Sequence, residues 1–578
     1  MSPDDRTTPP RPAGRTPRPS AAVMLLRTGA DGPEVFLAER NPKLRFFGGH
    51  WAFPGGTLDT MDVELAELLV TARGGGPVEH LEPTPEGDPR PASREVEDLA
   101  LACCALRELF EETGVLLPPL RAALPVADAE RRAWLRAELA PRAGATDAGR
   151  AAWLELCRPF AEAGGLVEAL TPIGRITTPG FRPLRYETLF LRAELPAPGA
   201  ATAADGAPTD PGETPDIHEG ELVAGRFGVP ADELAAWRRG EERIVPPVLF
   251  QLEFLAAALA AGDVDRAWPE IAEAMDAIVA GRLHSAYTSP GILAAPLRTP
   301  TLPPAETTNC YLVGTSDVYV VDPGTYDEGE RARLFETLDR WTADGRRVRG
   351  VIATHLHADH LGSISAVCAR YDVPLFAHPV TLDDLRGRWG RGGLEASLSA
   401  GGGHRELGPP PTAQVPVDEG HAFDLGTAPD GSPGWRLVVH HTPGHARGHV
   451  ALRDSRYGAV VVGDLVSTLS TIVVDPPEGH LATYLGSLQR LLELAERPDW
   501  VLLPAHGPWT HRGSALVERY LAHRAEREAS LLRALADGLT DVKDLVARVY
   551  ADTDPRAWPV AARSLEAGLE KLREEGRA

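Results

Sequence analysis

Apolar and polar positions fall into short blocks along most of this chain, and the character of the blocks changes twice. Residues 21–26 are wholly apolar; a Gly-containing turn and a second apolar run at 34–38 follow, a pattern that predicts a β-hairpin. Residues 184–191 alternate and predict a strand, 230–239 a short helix, and 248–261 a strongly apolar helix. The stretches 71–93 and 196–216 are polar and rich in Gly or Pro, so they predict loop insertions in a domain that continues past them and closes near residue 285. A Pro- and Thr-rich segment at 289–308 then leads into strands at 309–313 and 318–322, after which strands and helices alternate to about residue 512. Beyond that point the pattern is helical throughout, with helices expected at 513–536, 542–550 and 560–575. There is no internal repeat.

The expectation is therefore an α/β multidomain chain with domains at 20–285 and 286–512 and a helical domain at 513–578. At 578 residues it is too long for one core. No apolar run approaches the roughly 20 residues of a membrane span. Residues 1–19, rich in Pro, Arg and Thr and without an apolar core, read as a disordered tail rather than a secretion signal, which places the protein in the cytoplasm with no membrane partner. Five cysteines form neither a metal finger nor a disulfide framework. The net charge of −23 argues against a generally basic nucleic-acid surface, although it leaves room for a local positive groove.

Candidate chemistry is concentrated in Thr354-His355-Leu356-His357-Ala358-Asp359-His360, which follows the apolar run 348–353. Four potential metal ligands lie within six residues, and His355 and His357, two apart, project to the same side of an extended segment. Later apolar runs end on the same residue types: His445 follows 435–439, Asp464 closes Val-Val-Val-Gly-Asp, and His506 closes 501–506. The HxHxDH run with this downstream order resembles the metallo-β-lactamase superfamily. That resemblance implies an αββα sandwich in which His355, His357 and His445 hold one metal, Asp359, His360 and His506 the other, and Asp464 bridges both, with Asp359 also catalytic. Imidazole and carboxylate ligands suit two Zn2+ ions, with Mn or Fe as alternatives. His449 is weighed as an orienting residue, and His378, His440, His441 and His511 as packing, capping or solvent-exposed residues.

A second constellation is Arg107-Glu108-Leu109-Phe110-Glu111-Glu112-Thr113-Gly114-Val115. Glu108, Glu111 and Glu112 lie at i, i+3 and i+4 on one helical face, where carboxylates repel unless a divalent cation neutralises them. Gly114 then ends the helix. With Phe53-Pro54-Gly55-Gly56 this matches the Nudix box, and the resemblance implies an α/β/α sandwich that hydrolyses a diphosphate with Mg2+ or Mn2+. Glu108 and Glu112 would be catalytic, Glu108, Glu111 and Glu112 metal ligands, and Arg107 would orient a glutamate. An insertion of about 37 residues separates Gly56 from Arg107 relative to the compact motif. The glutamate expected six residues after Gly56 is Asp62, and both Asp59 and Asp62 are left outside the site. These insertions, with Thr171-Pro172-Ile173-Gly174 and Arg182-Pro183-Leu184-Arg185-Tyr186-Glu187, resemble the coenzyme A diphosphatase subgroup, so the partner would be coenzyme A or a nucleotide derivative.

Residues 290–578 resemble the lactamase-β-like-2 proteins, which include a single-strand-specific endoribonuclease. Ala505-His506-Gly507-Pro508 runs into a helix containing His523-Arg524-Ala525-Glu526-Arg527-Glu528, and the last residues resemble that family's small winged-helix-like domain. The resemblance implies a bifunctional metal-dependent hydrolase that cleaves an RNA-like phosphodiester, an ester or a thioester. The alternative is a glyoxalase II-like thioester hydrolase in which the Nudix part only binds a regulatory ligand. The tail carries no aromatic or basic stripe for stacking on bases, so it reads equally as a packing lid or an RNA clamp.

Overall fold

A computed structural model describes residues 16–30, 32–44, 47–83, 87–91, 93–140, 145–178, 185–195, 214–217, 220–279, 285–389, 407–494 and 500–577. Most of the expected tail and of the 196–216 insertion, and the 182–184 part of the Arg182 segment, lie outside these residues. The chain divides into two compact units, Met1–Leu283 and His284–Ala578.

The first unit is built on a seven-stranded mixed sheet. The hairpin forms as expected but longer, pairing Arg18–Gly29 with Gly32–Arg40, so the first strand starts inside the segment read as a tail. Arg18–Gly29 also runs parallel to Tyr186–Leu195, and this pairing encloses the apolar centre of the sheet between neighbouring strands. Val23 and Leu25 face a core completed by Leu65 and Leu69 of the helix Thr60–Ala72 and by Leu106 and Phe110 of the helix Arg94–Thr113. The region 71–93 holds more order than its composition predicts, a two-stranded pair of His80–Leu81 with Arg90–Pro91. The helices Ala129–Leu139, Asp147–Glu162 and Ala267–Val279 complete this unit and were not among the elements expected from the sequence.

The second unit contains a seven-stranded sheet and a five-stranded sheet packed face to face. Strand periodicity explains the layering. In the strand Ala459–Gly463, Ala459 and Val461 enter the core between the sheets, whereas Val460 and Val462 join the outer core under the helices Leu481–Glu493 and Gly513–Ala536. In Asp317–Val321 of the other sheet, Tyr319 and Val321 face inward while Val318 and Val320 pack on the helices Glu328–Ala343 and Ile364–Tyr371. Helices thus cover both outer faces, giving an αββα sandwich.

The three helices expected at the C-terminus form at Gly513–Ala536, Val542–Val549 and Trp558–Glu574. Among the described residues after 541 there are helices and no strand. The first of the three serves two cores: Leu516 and Val517 pack under the five-stranded sheet, while Leu531 and Ala534 join Leu545, Val549, Leu565 and Leu572 in a separate small core. A boundary at residue 512 therefore falls where the packing is continuous. Among the described residues no helix is long and apolar enough to cross a membrane.

Candidate metal centre

All seven predicted ligand positions of the second unit come together at the ends of its strands. His355 and His357 leave the strand Arg347–Ile352, His360 lies in the short helix Ala358–Leu361, His445 follows Trp435–His441, Asp464 follows Ala459–Gly463, and His506 follows Val501–Pro504. They form two neighbouring groups, His355, His357, His445 and Asp464 in one, Asp359, His360 and His506 in the other, each with its donor atoms within 4.8 Å of one another.

In the first group His357 Nδ1 lies 2.9 Å from His355 Nε2 and 2.9 Å from His445 Nε2. One ring nitrogen cannot hold a single proton for two partners, so this convergence is better suited to a cation. Tetrahedral Zn2+ at about 2.0–2.1 Å from each nitrogen needs nitrogens roughly 3.3 Å apart, and both 2.9 Å distances from His357 Nδ1 are within a few tenths of an ångström of that. In the second group His506 Nε2 lies 3.3 Å from Asp359 Oδ2 and 3.3 Å from Asp464 Oδ1. His360 Nε2 is 3.6 Å from Asp464 Oδ1, and both atoms are buried without a hydrogen bond. The donor set and these unsatisfied atoms fit a divalent ion in each group.

The remaining ring nitrogens are held from behind. His445 Nδ1 donates to the Val473 carbonyl at 2.8 Å and His506 Nδ1 to the Thr307 carbonyl at 3.0 Å, which leaves Nε2 of each ring as a lone pair aimed at the site. His360 Nδ1 faces Asp322 Oδ2 at 2.8 Å. Asp322 also accepts from the Thr354 amide and hydroxyl, and its backbone sits at φ 51°, a left-handed conformation rare outside glycine. His449 is an orienting residue: its Nε2 accepts the Asp464 amide at 3.1 Å, and its Nδ1 lies 2.8 Å from Thr442 Oγ1. The sequence reading missed Asp322 and Glu478, whose Oε1 lies 3.7 Å from His357 Nε2. Asp322 closes an apolar run, the one sequence signal that could have found it. Glu478 sits in a Pro-rich loop and had no such signal.

Charge divides the two groups. Burial disfavours an imidazolium at His506, but the Asp464 and Asp359 carboxylates outweigh it and push its pKa up to about 10. At His360 burial is likewise outweighed, by Asp322, Asp359 and Asp464, and the pKa stands well above its ordinary value. His355 is held well below its ordinary value by burial and by neighbouring His360 and His357, and His445 falls to about 4 through burial and His357. Burial raises the carboxyl of Asp359, yet His360 and His506 bring it down to about 2. The lowered imidazoles of the first group and the ionised carboxylates are in the forms that bind a metal, and the raised values at His360 and His506 mark carboxylate charge that a bound cation would meet in place of their protons.

His378 and His441 stack at 4.1 Å, with His378 Nε2 3.3 Å from Asp418 Oδ1. The Val380 amide donates to His378 Nδ1 at 3.3 Å, so the proton of the neutral ring sits on Nε2 and that nitrogen offers no lone pair. His440 is held by Glu419 at 3.1 Å. His378, Asp418 and His441 thus also bring donor atoms within 4.8 Å of one another, with His378 Nδ1 already engaged by the chain's own backbone.

In the first unit the three glutamates lie along the helix Arg94–Thr113, which ends at Gly114 with φ 71°. Gly55 N–H donates to Glu112 Oε2 at 2.8 Å, and a Cβ on Gly56 would lie 2.3 Å from Glu108 Oε1, so any side chain there would displace that carboxylate. Arg107 donates to Glu108 at 2.9 Å and to Glu111 at 3.2 Å, orienting both. Burial and the neighbouring Glu108 raise Glu111 to about 8 and Glu112 well above the carboxyl range, while burial is the main cause at Glu108, also raised. Asp62, left outside the site in the sequence reading, holds one of its residues in place. It is fully buried and pairs with Arg107 Nη2 at 2.9 Å and Nε at 3.0 Å, anchoring the arginine that orients the glutamates. Asp59, by contrast, caps the helix Thr60–Ala72 and pairs with Arg150.

Residues 303–506 match the family model described as the metallo-beta-lactamase superfamily, and residues 542–578 match that of the beta-lactamase associated winged helix domain. The chain is 26% identical over 284 residues to the beta-lactamase-like protein 2 homolog of Drosophila melanogaster, covering 47% of this chain and 83% of that protein. It is 30% identical over 217 residues to an uncharacterized protein of Mycobacterium tuberculosis, covering 36% of this chain and 88% of the relative. Among solved structures it is similar to a NUDIX hydrolase from Alicyclobacillus acidocaldarius, with 26% identity, 42% of this chain and 93% of that chain covered, and a TM-score of 0.26. Through the unit that carries the histidine centre, the chain belongs to the metallo-beta-lactamase superfamily, a family of metal-dependent hydrolases.

Proposed function

We propose that the second unit is a dinuclear hydrolase that cleaves a phosphodiester in an RNA-like anionic substrate, with His355, His357 and His445 holding one ion, Asp359, His360 and His506 the other, and Asp464 between them. The observation that carries this reading is the division of the Asp464 carboxylate. Its Oδ2 lies 3.5 Å from His445 Nε2 and 4.0 Å from His355 Nε2, and its Oδ1 lies 3.3 Å from His506 Nε2. Two divalent ions bound there would supply Lewis acidity and lower the pKa of water. The chain does the rest: Val473, Thr307 and Asp322 fix the ring orientations, and Asp359, kept ionised, offers an oxygen that accepts a hydrogen bond from the attacking water. A phosphodiester is preferred to a thioester because Arg388, Arg524, Arg527 and Arg556 line the cavity of about 700 Å³ that contains the centre.

Elemental analysis of protein purified without chelators should find close to two transition-metal ions per chain, Zn2+ being favoured by the ligand set. Assays with single-stranded RNA and S-lactoylglutathione should show metal-dependent cleavage of the first. Efficient thioester hydrolysis without RNA cleavage would transfer the reading to the glyoxalase II-like alternative.

For the first unit we propose Mg2+- or Mn2+-dependent hydrolysis of a diphosphate, with coenzyme A or a nucleotide derivative as substrate. Glu108, Glu111 and Glu112 are crowded beside Gly55 and Gly56, and their raised pKa values show carboxylates short of positive charge. Their oxygens do not all lie within 4.8 Å of one another as those of the histidine groups do. Release of nucleoside monophosphate or phosphopantetheine from such substrates, dependent on Mg2+ or Mn2+, tests this assignment.

A further inference from the structure

The face of the helix Gly513–Ala536 that lines the metal-site cavity carries positive charge and two buried hydrogen-bond donors, Arg524 Nε and His523 Nδ1, that have no acceptor among the described residues. Arg524 is only 7% exposed, yet among the described residues it has no carboxylate partner. Its Nη2 donates to the Ile472 carbonyl, its guanidinium lies 5.4 Å from the centroid of the Tyr484 ring, and its Nε is buried without a hydrogen bond. His523 is in the same condition. Arg527 Nε donates to His523 Nε2 at 3.2 Å, so the neutral ring carries its proton on Nδ1, and that donor too is buried without an acceptor. Arg527 pairs with Asp552 at 2.8 Å, but the Asp552 side chain is 71% exposed, so this pair sits at the solvent edge and is weak.

His523, Arg524 and Arg527 line the same cavity as His357, Asp359 and Asp464, and Arg388 and Arg556 join them. Asp554, paired with Arg556 at 2.6 Å, also lines it. A cation removed from water is held at a cost unless an anion meets it. In a chain of net charge −23, four arginines on one cavity are a local reversal of the overall field.

We propose that Arg524, with His523 and Arg527, forms an anion subsite that holds a second phosphate of the substrate, one adjoining the phosphate presented to the metal centre. This rests on the hydrolase reading of that centre. It also gives the C-terminal helices a role: they supply the wall that selects substrates with more than one anionic group. The guanidinium suits phosphate because its donors are arranged in a planar fork.

The test uses the full-length, metal-loaded protein with Arg524→Gln, and compares a single-stranded RNA oligonucleotide with bis(p-nitrophenyl) phosphate, which has one anionic group. The expected result is a rise of about tenfold in KM for the oligonucleotide with a much smaller change in kcat, and a salt dependence of KM shallower by roughly one phosphate contact. The ratio of kcat/KM for the oligonucleotide to that for the small diester should fall by about tenfold. Arg556→Gln, at a side chain 91% exposed where folding is not at stake, should move the same ratio in the same direction by a smaller factor. Equal loss on both substrates, or loss of bound metal, would show that Arg524 merely braces the loop at Ile472 and would overturn the proposal. If the protein cleaves only S-lactoylglutathione, the phosphodiester reading fails by itself. The subsite then survives only if Arg524→Gln raises KM for the carboxylates of that substrate.

Discussion

A single oxygen or nitrogen decides much of the behaviour of each site. Asp322 holds the Thr354 backbone and hydroxyl and His360 Nδ1 together, at 2.8, 2.6 and 2.8 Å. Asp322→Asn keeps the size but presents only one carbonyl oxygen to three donors, so the His360 ring loses its fixed orientation. Metal affinity should fall roughly 10- to 100-fold, as is usual when an outer partner of a ligating histidine is removed. A competition titration against a chelator reads this directly, and an unchanged affinity would mean that His360 is positioned by packing alone. His50 gives the pH dependence of the first unit. Its Nδ1 lies 3.2 Å from the Gly48 carbonyl, and burial, opposed by that hydrogen bond, lowers its pKa from 6.5 to about 4. Because the folded state resists a proton that the unfolded state accepts, its contribution is intact above about pH 6.5 and is lost progressively as pH falls toward 4. The drop in melting temperature between pH 6.5 and 4 should be smaller in His50→Gln than in the parent chain.

At the scale of elements, the helix Arg94–Thr113 and the helix Thr60–Ala72 are joined by a buried ion pair as well as by apolar packing. Asp62 is fully buried, so Asp62→Asn would leave the Nε and Nη2 side of the Arg107 guanidinium in the interior without a carboxylate, with Glu108 and Glu111 pairing only at Nη1. Breaking a buried pair in this way typically costs about 3–5 kcal/mol. Denaturant unfolding should show a loss of that order confined to the first unit, accompanied by lower diphosphate hydrolysis as Arg107 releases Glu108 and Glu111. A loss below about 1 kcal/mol would mean that water reaches Arg107 once Asp62 is neutral. In the second unit, the strand-end geometry that gathers the ligands depends on a close approach at Gly463, where φ is 49° and a Cβ would lie 2.6 Å from His449 Nε2.

At the scale of the whole molecule, two compact units with separate apolar cores carry two separate constellations. Independent cores predict independent chemistry. Glu112→Gln should lower diphosphate hydrolysis and leave activity at the histidine centre near normal, while Asp359→Asn should do the reverse, the neutral amide being a poorer metal ligand and acceptor. Parallel assays of both variants decide the matter, since the loss of both activities from either substitution in a folded protein is incompatible with two sites.

The candidate ligand set was legible because the HxHxDH run and the order of His445, Asp464 and His506 resemble a known family, and because each falls at the end of an apolar run. His355, His357, Asp359, His360, His445, Asp464 and His506 each follow or close an apolar run, so local pattern alone placed them at the ends of strands. The hairpin at the N-terminus and the three C-terminal helices were readable for the same reason, a strong short-range period. What the sequence could not give were partnerships across large separations in the chain. Asp62 reaches Arg107 over 45 residues, Asp322 reaches His360 over 38, and the Thr307 carbonyl receives His506 from 199 residues away. Apart from Asp322, which closes an apolar run, the acidic or carbonyl half of each pair carries no local signal, because its meaning depends on what folding brings opposite it. The same holds for Arg524: in sequence it is one charge on a helix of mixed charge. Only the packing of that helix over the cavity removes it from water with, among the described residues, no carboxylate opposite it.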